Sequence, residues 1–431
     1  MTLFWHRRDL RINDNAGLFA ALRKEKNIQP IFIFDKNILD ELKIGDQRVL
    51  YIYRHIEALK QAYTEQGSDL WVFYGNPKNV FQQLIKEHKV NAVFTNRDYE
   101  PYAKSRDEEI KNLLEKLAIP FRTLKDHVIF ERNEVLKGDG TPYRVFTPYM
   151  RQWKNALEPF HLSSYPTEKY FKNLNQSEYV SDLISLNEMG FLDEQTQDFP
   201  SLEASDRIIN DYENTRDIPS VRGTTRMSLH LRFGTVSIRE LCRQGRSNDK
   251  YFNELIWRDF YQMILDHFPD TAVKSFKPKY DNIPWENNEA HFKAWREGKT
   301  GYPIVDAGMR ELNVTGFMHN RVRMVVASFL TKHLMIDWRL GEAYFAEKLL
   351  DYEMASNVGG WQWAASSGVD AQPYFRVFNP TSQQDKFDPE DKYIEKWVPE
   401  YGTNAYPEPI VEHKKARQNA IATYKEAISN D

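Results

Sequence analysis

The sequence predicts an α/β domain followed by an all-helical domain, and three observations support this fold class. From residue 2 to about residue 128, short apolar runs alternate with helical spacing, as in a doubly wound parallel sheet covered by helices. After residue 205, strand patterns nearly vanish and apolar residues recur at helical spacing. The 431 residues are also enough to build two hydrophobic cores.

The predicted α/β domain spans residues 1–128. We expect Asp14 to cap its first helix and Gly67 to end a later one, because a carboxylate accepts free N–H groups of a first turn and glycine disfavours helix. No glycine-rich dinucleotide fingerprint follows the first strand, so a Rossmann-type dinucleotide site is not expected in this domain. Five strands are predicted, at residues 2–5, 30–34, 69–73, 91–95 and 121–124.

The segment that follows is poor in regular patterns, and residues 129–205 are predicted to form a long linker that packs against both domains. Its one dense aromatic stretch, YRVFTPYMRQW at residues 143–153, is predicted to dock the linker. The helical domain is expected at residues 206–405. The remaining residues, 406–431, are expected to form a mobile or loosely docked tail.

Composition narrows the class of protein. The formal charge is -4, so any contact with nucleic acid must use a local basic patch. Cys242 is the single cysteine, which excludes an intramolecular disulfide and a cysteine-rich metal site and fits a reducing cytoplasm. No metal site is predicted. Charge appears too early for a signal peptide and no apolar run approaches about 18 residues, so we expect a cytoplasmic protein without a membrane span. We also expect a monomer.

The sequence DYEMASNVGGWQW at residues 351–363 is the most unusual segment of the chain. Gly359 and Gly360 allow the backbone to approach a ligand closely, and the indole rings of Trp361 and Trp363 offer flat surfaces for stacking. A helix that ends at a glycine and carries two core tryptophans explains the same residues. The segment by itself leaves both interpretations open.

A second segment, RGTTRMSLHLRFGTVSIREL at residues 222–241, places three hydroxyls and two arginines at the start of a helical pattern. Free N–H groups and the positive end of the helix dipole favour a phosphate there. An ordinary helix start with solvated arginines is the alternative.

The sequence NELIWRDFYQMIL at residues 253–265 reads as a helix with one apolar face and one mixed face. Glu254, Trp257, Arg258 and Tyr261 share the mixed face. The spacing alone favours an ordinary ion pair between Glu254 and Arg258, four residues apart on this helix.

The sequence MHNRVRM at residues 318–324 contains two arginines on different sides of a helix. At about 100° per residue, Arg321 and Met324 lie together while Arg323 points about 200° away from Arg321. The two arginines are therefore expected to have different functions.

Together with FWHRRDLRINDNAGL at the start of the chain and AQPYFRVFNPTSQQDKFDP at residues 371–389, these segments resemble the photolyase/cryptochrome family, and most closely the class I cyclobutane pyrimidine dimer photolyases. The resemblance implies a carbon–carbon lyase that holds FAD noncovalently and binds damaged DNA. Light-driven electron transfer from reduced FAD to a flipped-out dimer is the implied repair reaction. The alternatives within the family are a cryptochrome-type photoreceptor without repair activity and a six-four photolyase.

The resemblance also implies residue roles. Glu254, Asn357 and Met324 match catalytic positions, and Trp285, Trp338 and Trp361 match a tryptophan triad that carries electrons to the flavin. The implied FAD-binding residues are Tyr212, Thr224, Thr225, Arg226, Met227, Ser228, Arg258, Arg323, Asp351, Glu353 and Asn357, with an ion pair between Arg323 and Asp351. The implied residues for the lesion and its flanking phosphates are Glu254, Trp257, Asn320, Arg321, Met324, Trp363, Arg376 and Lys386.

Four positions bear on the choice within the family. Asn357 favours repair, because plant cryptochromes carry Asp here and a carboxylate competes with the negative charge of reduced flavin. Met324 favours pyrimidine dimers over six-four lesions, for which the family carries a His in this segment. Glu353 departs from the more common Asp. Ala103 stands where folate-binding members carry Glu, which disfavours a folate antenna and leaves a deazaflavin, a second flavin or no antenna.

Overall fold

The computed structural model describes residues 1–429. Its contacts divide the chain into two compact units. The first unit contains residues 1–131, 157–203 and 227–244, and the second contains residues 132–156, 204–226 and the chain from residue 245 onward. The segment predicted as a linker thus contributes residues to both units, and the predicted domain boundaries stay predictions.

The first unit contains a five-stranded sheet in which every neighbouring pair of strands is parallel. The strand order is β3-β2-β1-β4-β5, which confirms the predicted doubly wound α/β fold. The two halves of the sheet meet between β1 and β4. The strands are β1 (Thr2–His6), β2 (Ile28–Asp35), β3 (Trp71–Gly75), β4 (Ala92–Asn96) and β5 (Phe121–Leu124).

Helices cover this sheet and make up most of the second unit, which confirms the predicted α/β plus all-α class. In chain order they are α1 (Ala16–Lys24), α2 (Lys36–Leu39), α3 (Gln47–Thr64), α4 (Pro77–Glu87), α5 (Pro101–Glu115), α6 (Phe146–Ala156), α7 (Asp206–Asn210), α8 (Tyr212–Thr215), α9 (Ser228–Phe233), α10 (Ile238–Gly245), α11 (Asp249–His267), α12 (Glu289–Glu297), α13 (Pro303–Thr315), α14 (Asn320–Ser328), α15 (Trp338–Lys348), α16 (Met354–Ala364), α17 (Pro380–Phe387), α18 (Lys392–Trp397) and α19 (His413–Ser429). Short 3₁₀ turns lie at Pro159–Leu162, Thr167–Asn173, Pro269–Ala272 and Pro278–Asn282, and a π-helix lies at Phe329–His333.

The cap of α1 differs from the prediction by one residue. Asn15, not Asp14, caps the helix, and its Oδ1 accepts the N–H of Leu18 at 3.0 Å. Asp14 is instead held by long-range contacts in the same unit, accepting from Ser237 at 2.6 Å and from Arg239 at 2.8 Å. Sequence spacing cannot decide which of two adjacent polar residues caps the helix when one of them pairs with a cation far along the chain.

The core of the second unit is built mainly from α13, α14, α15 and α16. Helix α16 has a central position, because it packs against α11, α14 and α15. Its buried side chains include Val358, Trp361 and Gln362. No helix within residues 1–429 has both the length and the apolar character that a membrane crossing requires.

The C-terminal segment is a packed helix, so the prediction of a mobile or loosely docked tail is wrong for residues 413–429. Ala416, Ala420, Tyr424 and Ala427 recur at helical spacing and are buried on one side of α19. Tyr424 contacts Trp285 edge-on, with 5.9 Å between ring centroids. The last two residues of the predicted tail, 430 and 431, lie outside the described residues.

Candidate active site

The unusual DYEMASNVGGWQW segment forms most of α16, and both glycines lie inside the helix. The interpretation of a helix that ends at a glycine is therefore wrong, since α16 continues to Ala364. Gly359 is needed for packing: a Cβ built there lies 2.3 Å from ring atoms of Tyr261 on α11. A Cβ built at Gly360 meets no described atom within 4 Å. Packing against Tyr261 therefore requires a glycine at position 359, whereas packing places no such requirement on position 360.

This difference predicts opposite effects of two neighbouring substitutions. Gly359→Ala is expected to lower the free energy of unfolding by about 1–3 kcal/mol, because the new methyl group overpacks Tyr261. Gly360→Ala is expected to raise it by about 0.5–1 kcal/mol, because alanine favours helix and the position is open. Urea unfolding of both variants measures the difference. Equal effects of the two substitutions contradict the packing assigned to Tyr261.

Asn357 lies one turn before Gly360, and its side chain is oriented by α15. Its Nδ2 donates to Glu342 Oε1 at 2.9 Å and to the Glu342 carbonyl at 3.2 Å. Because the amide nitrogen has these partners, Oδ1 is the atom that can accept a hydrogen bond from a ligand. Burial raises the pKa of the Glu342 carboxyl. Sequence reasoning missed Glu342, whose partner lies fifteen positions later on another helix.

Arg258 and Glu353 form a buried ion pair between α11 and the start of α16. Arg258 Nη2 lies 2.9 Å from Glu353 Oε1, and each side chain is less than a tenth exposed. Glu353 Oε2 also accepts from Ser356 at 3.3 Å. The four-residue spacing predicted Glu254, on the same helix, as the partner of Arg258. The observed partner is instead Glu353, at the start of α16. The longer Glu353 side chain, which departs from the family pattern, makes this contact.

The two arginines of MHNRVRM have separate partners, as their helical positions predicted. Arg323 Nη2 lies 3.0 Å from Asp351 Oδ2, which is the ion pair implied by the resemblance, and its Nε donates to the Met318 carbonyl at 2.7 Å. Arg321 Nη1 lies 3.7 Å from the Met324 sulfur. The division of the two arginines is confirmed, while their roles stay predictions.

Glu254 belongs to a chain of ion pairs that sequence reasoning did not find. Its Oε1 accepts from Arg216 Nη1 at 2.5 Å, and Arg216 lies 3.9 Å from Asp217. Asp217 Oδ1 in turn accepts from Arg321 Nη2 at 2.8 Å. Burial raises the pKa of the Glu254 carboxyl, and the positive charge of Arg216 opposes that rise. A local signal for Arg216 was its position four residues after Tyr212, whose ring it covers at 5.2 Å.

Of the cations implied for the DNA backbone, Arg321 is half-buried, whereas Arg376 and Lys386 are exposed. Arg321 lies over the Phe387 ring at 4.3 Å and Lys386 lies over the same ring at 5.1 Å, so one aromatic side chain holds both cations. Arg376 is exposed on the segment between α16 and α17, and its carbonyl accepts from Lys332 Nζ at 3.0 Å. Asn320 is the exposed first residue of α14.

The two tryptophans implied for the lesion lie on adjacent helices, Trp257 on α11 and Trp363 on α16, and both are half-buried. The ring of Trp257 is stacked on Phe146 of α6, with 3.7 Å between centroids and 5° between ring planes. Trp257 also contacts Phe260 at 5.6 Å and Tyr261 at 5.4 Å.

The phosphate segment is divided between the units. Thr224 and Thr225 are half-buried in the second unit, and Thr225 Oγ1 lies 3.2 Å from the Tyr251 hydroxyl. Arg226 lies over the Phe317 ring at 4.1 Å, and Tyr212 is buried edge-on against Tyr251 at 5.2 Å. The next two predicted residues, Met227 and Ser228, fall in the first unit, where α9 begins at Ser228.

The three tryptophans of the implied triad lie in or against one hydrophobic cluster of the second unit. Trp361 and Trp338 are buried, and Trp285 is half-buried beside α19. Trp361 packs on α15, where a Cβ built at Gly341 lies 2.2 Å from its ring. Electron transfer along the triad stays a prediction.

Comparison with known proteins identifies the family. Residues 251–404 match the FAD binding domain of DNA photolyase, and residues 2–168 match the DNA photolyase domain. A deoxyribodipyrimidine photo-lyase from Synechococcus sp. is 38% identical, and the match covers 98% of this chain and 96% of that protein.

Solved structures agree with these matches. A bacterial class III photolyase from Agrobacterium tumefaciens is 32% identical with a TM-score of 0.87, over 100% of this chain and 98% of that chain. An archaeal photolyase from Sulfolobus tokodaii with two FAD molecules is 35% identical with a TM-score of 0.85, over 99% of both chains. A class III structure matches the full chain, so assignment to class I stays a prediction. The chain belongs to the DNA photolyase family.

Proposed function

We propose that this chain repairs cyclobutane pyrimidine dimers in DNA with light, using the residues gathered around α16. Family membership makes it a light-driven carbon–carbon lyase that binds FAD and acts on damaged DNA. The observation that supports the residue assignments is the packing of α11, α14 and α15 on α16. Helices α11, α14 and α16 carry Arg258, Arg323 and Asn357 of the predicted flavin residues. They also carry six of the eight predicted lesion residues, which are Glu254, Trp257, Asn320, Arg321, Met324 and Trp363.

The donors and acceptors of the second unit fit FAD. The hydroxyls of Thr224 and Thr225 and the guanidinium of Arg226 are donors suited to an anionic pyrophosphate. Asn357 Oδ1 remains available to accept an N–H of a flavin ring, because Glu342 holds the amide nitrogen. Bound FAD supplies the chemistry, which is light-driven electron donation to the dimer.

Two ion pairs orient further donors toward this cofactor. Glu353 holds one nitrogen of Arg258, and Asp351 holds one nitrogen of Arg323. The carboxylates fix the positions of both guanidinium groups before the cofactor binds.

On the DNA side, Trp257 and Trp363 form an aromatic wall for the flipped-out dimer, since stacking on the indole rings replaces the stacking between neighbouring bases of the duplex. Arg321, Arg376 and Lys386 bind the phosphates that flank the lesion. Glu254 hydrogen-bonds the bases of the dimer, and Met324 contacts the dimer beside Arg321. Arg216 and Asp217 hold Glu254 and Arg321 in position through their ion pairs.

Repair under light tests the proposed function directly. Chemically reduced protein is mixed with an oligonucleotide carrying one thymine dimer and illuminated with blue to near-ultraviolet light. Restored aromatic bases raise the absorbance at about 260 nm relative to a dark control. An FAD-loaded, reduced sample without recovery contradicts dimer repair and favours the six-four or photoreceptor alternatives.

Glu254→Gln is expected to lower repair per absorbed photon about fivefold while FAD stays bound, because a neutral amide forms weaker hydrogen bonds than a carboxylate and loses the ion pair with Arg216 that holds the side chain. The matched control is Glu213→Gln, which changes an exposed carboxylate on α8. Quantum yield with saturating dimer and flavin absorbance are the two measurements. Equal yields for Glu254→Gln and the control contradict the role of Glu254.

Three narrower predictions belong to this proposal. The protein is proposed to be a monomer in the cytoplasm. Ala103 is buried in α5, so this position offers no carboxylate to a folate. The antenna therefore remains a deazaflavin, a second flavin or none.

A further inference from the structure

The aromatic segment at residues 143–153 forms α6, and one face of this helix packs on α11. Phe146, Tyr149 and Trp153 are the buried residues of α6. Tyr149 contacts Phe260 at 5.2 Å, and Trp153 Nε1 donates to Asp259 Oδ2 at 3.0 Å. These contacts fix α6 on α11 along its length. The segment predicted only to dock a linker thus lies against the helix that carries Glu254, Trp257 and Arg258.

The contact of Phe146 with Trp257 has an uncommon geometry. Aromatic pairs prefer offset or edge-to-face arrangements with centroids 4.5–7 Å apart. Phe146 and Trp257 lie face to face at 3.7 Å and 5°, while Phe260 meets the same indole edge-on at 80°. The pairing is therefore imposed by the packing of α6 on α11. It covers one face of the indole and leaves Trp257 half-buried.

The position of Phe146 is also fixed from a second side. Its backbone N–H donates to Asp370 Oδ2 at 3.1 Å. Asp370 belongs to the segment between α16 and α17 that carries Arg376, so the first residue of α6 is tied to the segment with a predicted DNA contact. Phe146 is itself buried, with 7% of its surface exposed.

We propose that Phe146 is a positioning residue that fixes the Trp257 indole for stacking on the damaged bases. The inference rests on the proposed function, which places Trp257 at the lesion. A side chain that is already immobile loses no rotamer freedom when the dimer binds, and that loss otherwise weakens binding. Phe146 acts through Trp257 and needs no contact with DNA.

The test compares Phe146→Leu, Phe146→Tyr and Trp257→Leu, and the double variant Phe146→Leu/Trp257→Leu, all loaded with FAD. The dissociation constant is measured for an oligonucleotide with one thymine dimer and for the undamaged oligonucleotide. Phe146→Leu is expected to weaken dimer binding about three- to tenfold and leave undamaged binding within about twofold. Phe146→Tyr, which keeps the aromatic ring, is expected to bind the dimer as tightly as wild type. Phe146→Leu is expected to have no further effect in the Trp257→Leu background.

Tyr149→Leu is the matched control, because Tyr149 lies on the same face of α6 and contacts Phe260. It is expected to lower the unfolding midpoint without changing the ratio of damaged to undamaged binding. Equal ratios for Phe146→Leu and wild type, or equal losses for Phe146→Leu and Tyr149→Leu, overturn the proposal. Unchanged dimer binding by Trp257→Leu instead overturns the role of Trp257 in the proposed function. If Trp257→Leu weakens dimer binding and Phe146→Leu does not, only the inference about Phe146 is overturned.

Discussion

Replacing Arg258 by Met is expected to lower the free energy of unfolding by about 3–5 kcal/mol. The substitution removes the guanidinium partner of the buried Glu353 carboxylate, and breaking a buried ion pair by removing one partner is strongly destabilising. The same substitution removes a predicted FAD ligand, so weaker FAD binding is expected as well. Urea unfolding with the flavin removed from every sample separates the two effects, because bound ligand adds to stability.

The double variant Arg258→Met/Glu353→Met distinguishes the ion pair from the cofactor contact. When both charges are removed, an apolar pair of similar volume replaces the buried ion pair, and the free energy of unfolding is expected to return to within about 1 kcal/mol of wild type. FAD binding is expected to stay weak, because the guanidinium is still absent. Recovery of both properties contradicts a direct contact of Arg258 with FAD. Recovery of neither contradicts the assignment of the stability loss to the broken ion pair.

The five strands could be predicted because each is a short apolar run between helical patterns, and the observed bounds differ from the predicted ones by two residues at most. The C-terminal helix α19 was missed because charged residues separate its apolar positions. The helical spacing of Ala416, Ala420, Tyr424 and Ala427 was the available signal. Local patterns therefore predicted elements with continuous apolar runs better than elements with one narrow buried stripe.

The site shows a similar limit for polar contacts. The separation of Arg321 and Arg323 follows from helical geometry alone, so sequence was sufficient. The partners of Glu254 and Asn357 come from other segments, Arg216 and Glu342, and no spacing rule relates them. The four-residue spacing of Glu254 and Arg258 favoured a pair within one helix, whereas Arg258 reaches Glu353. Tertiary packing decides which carboxylate a buried guanidinium meets.

Lys332 is a buried lysine whose charge state is expected to change the stability of the fold. It lies in the π-helix Phe329–His333 and is fully buried. Its Nζ donates to the Arg376 carbonyl at 3.0 Å, an atom that also accepts from Gln372 Nε2 at 2.9 Å. Burial alone lowers the pKa of Lys332 from its ordinary value of 10.5 to about 7. The lysine therefore couples proton binding to the segment that carries Arg376.

The sign of the effect follows from proton binding in the two states. Below about pH 7 the folded and unfolded chains both carry the proton, so the full cost of burying the charge is present. Between about pH 7 and 10.5 only the unfolded chain carries it, so the free energy of unfolding rises with pH, by at most about 1.4 kcal/mol per unit. Neighbouring His333 adds little in this range, because both its ordinary pKa of 6.5 and the pKa of about 3 that burial gives it lie below pH 7.

Lys332→Met is expected to abolish this pH dependence. From pH 7 to pH 9, the free energy of unfolding of wild type should rise by about 2–3 kcal/mol relative to that of Lys332→Met. Urea unfolding at several pH values measures this change. Lys293→Met, which replaces an exposed lysine on α12, should show the same pH profile as wild type. Parallel profiles for wild type and Lys332→Met contradict a neutral buried amine. Burying the charged amine is costly and this cost is fully present only below pH 7, so a methionine at this position is expected to stabilise the fold most below pH 7.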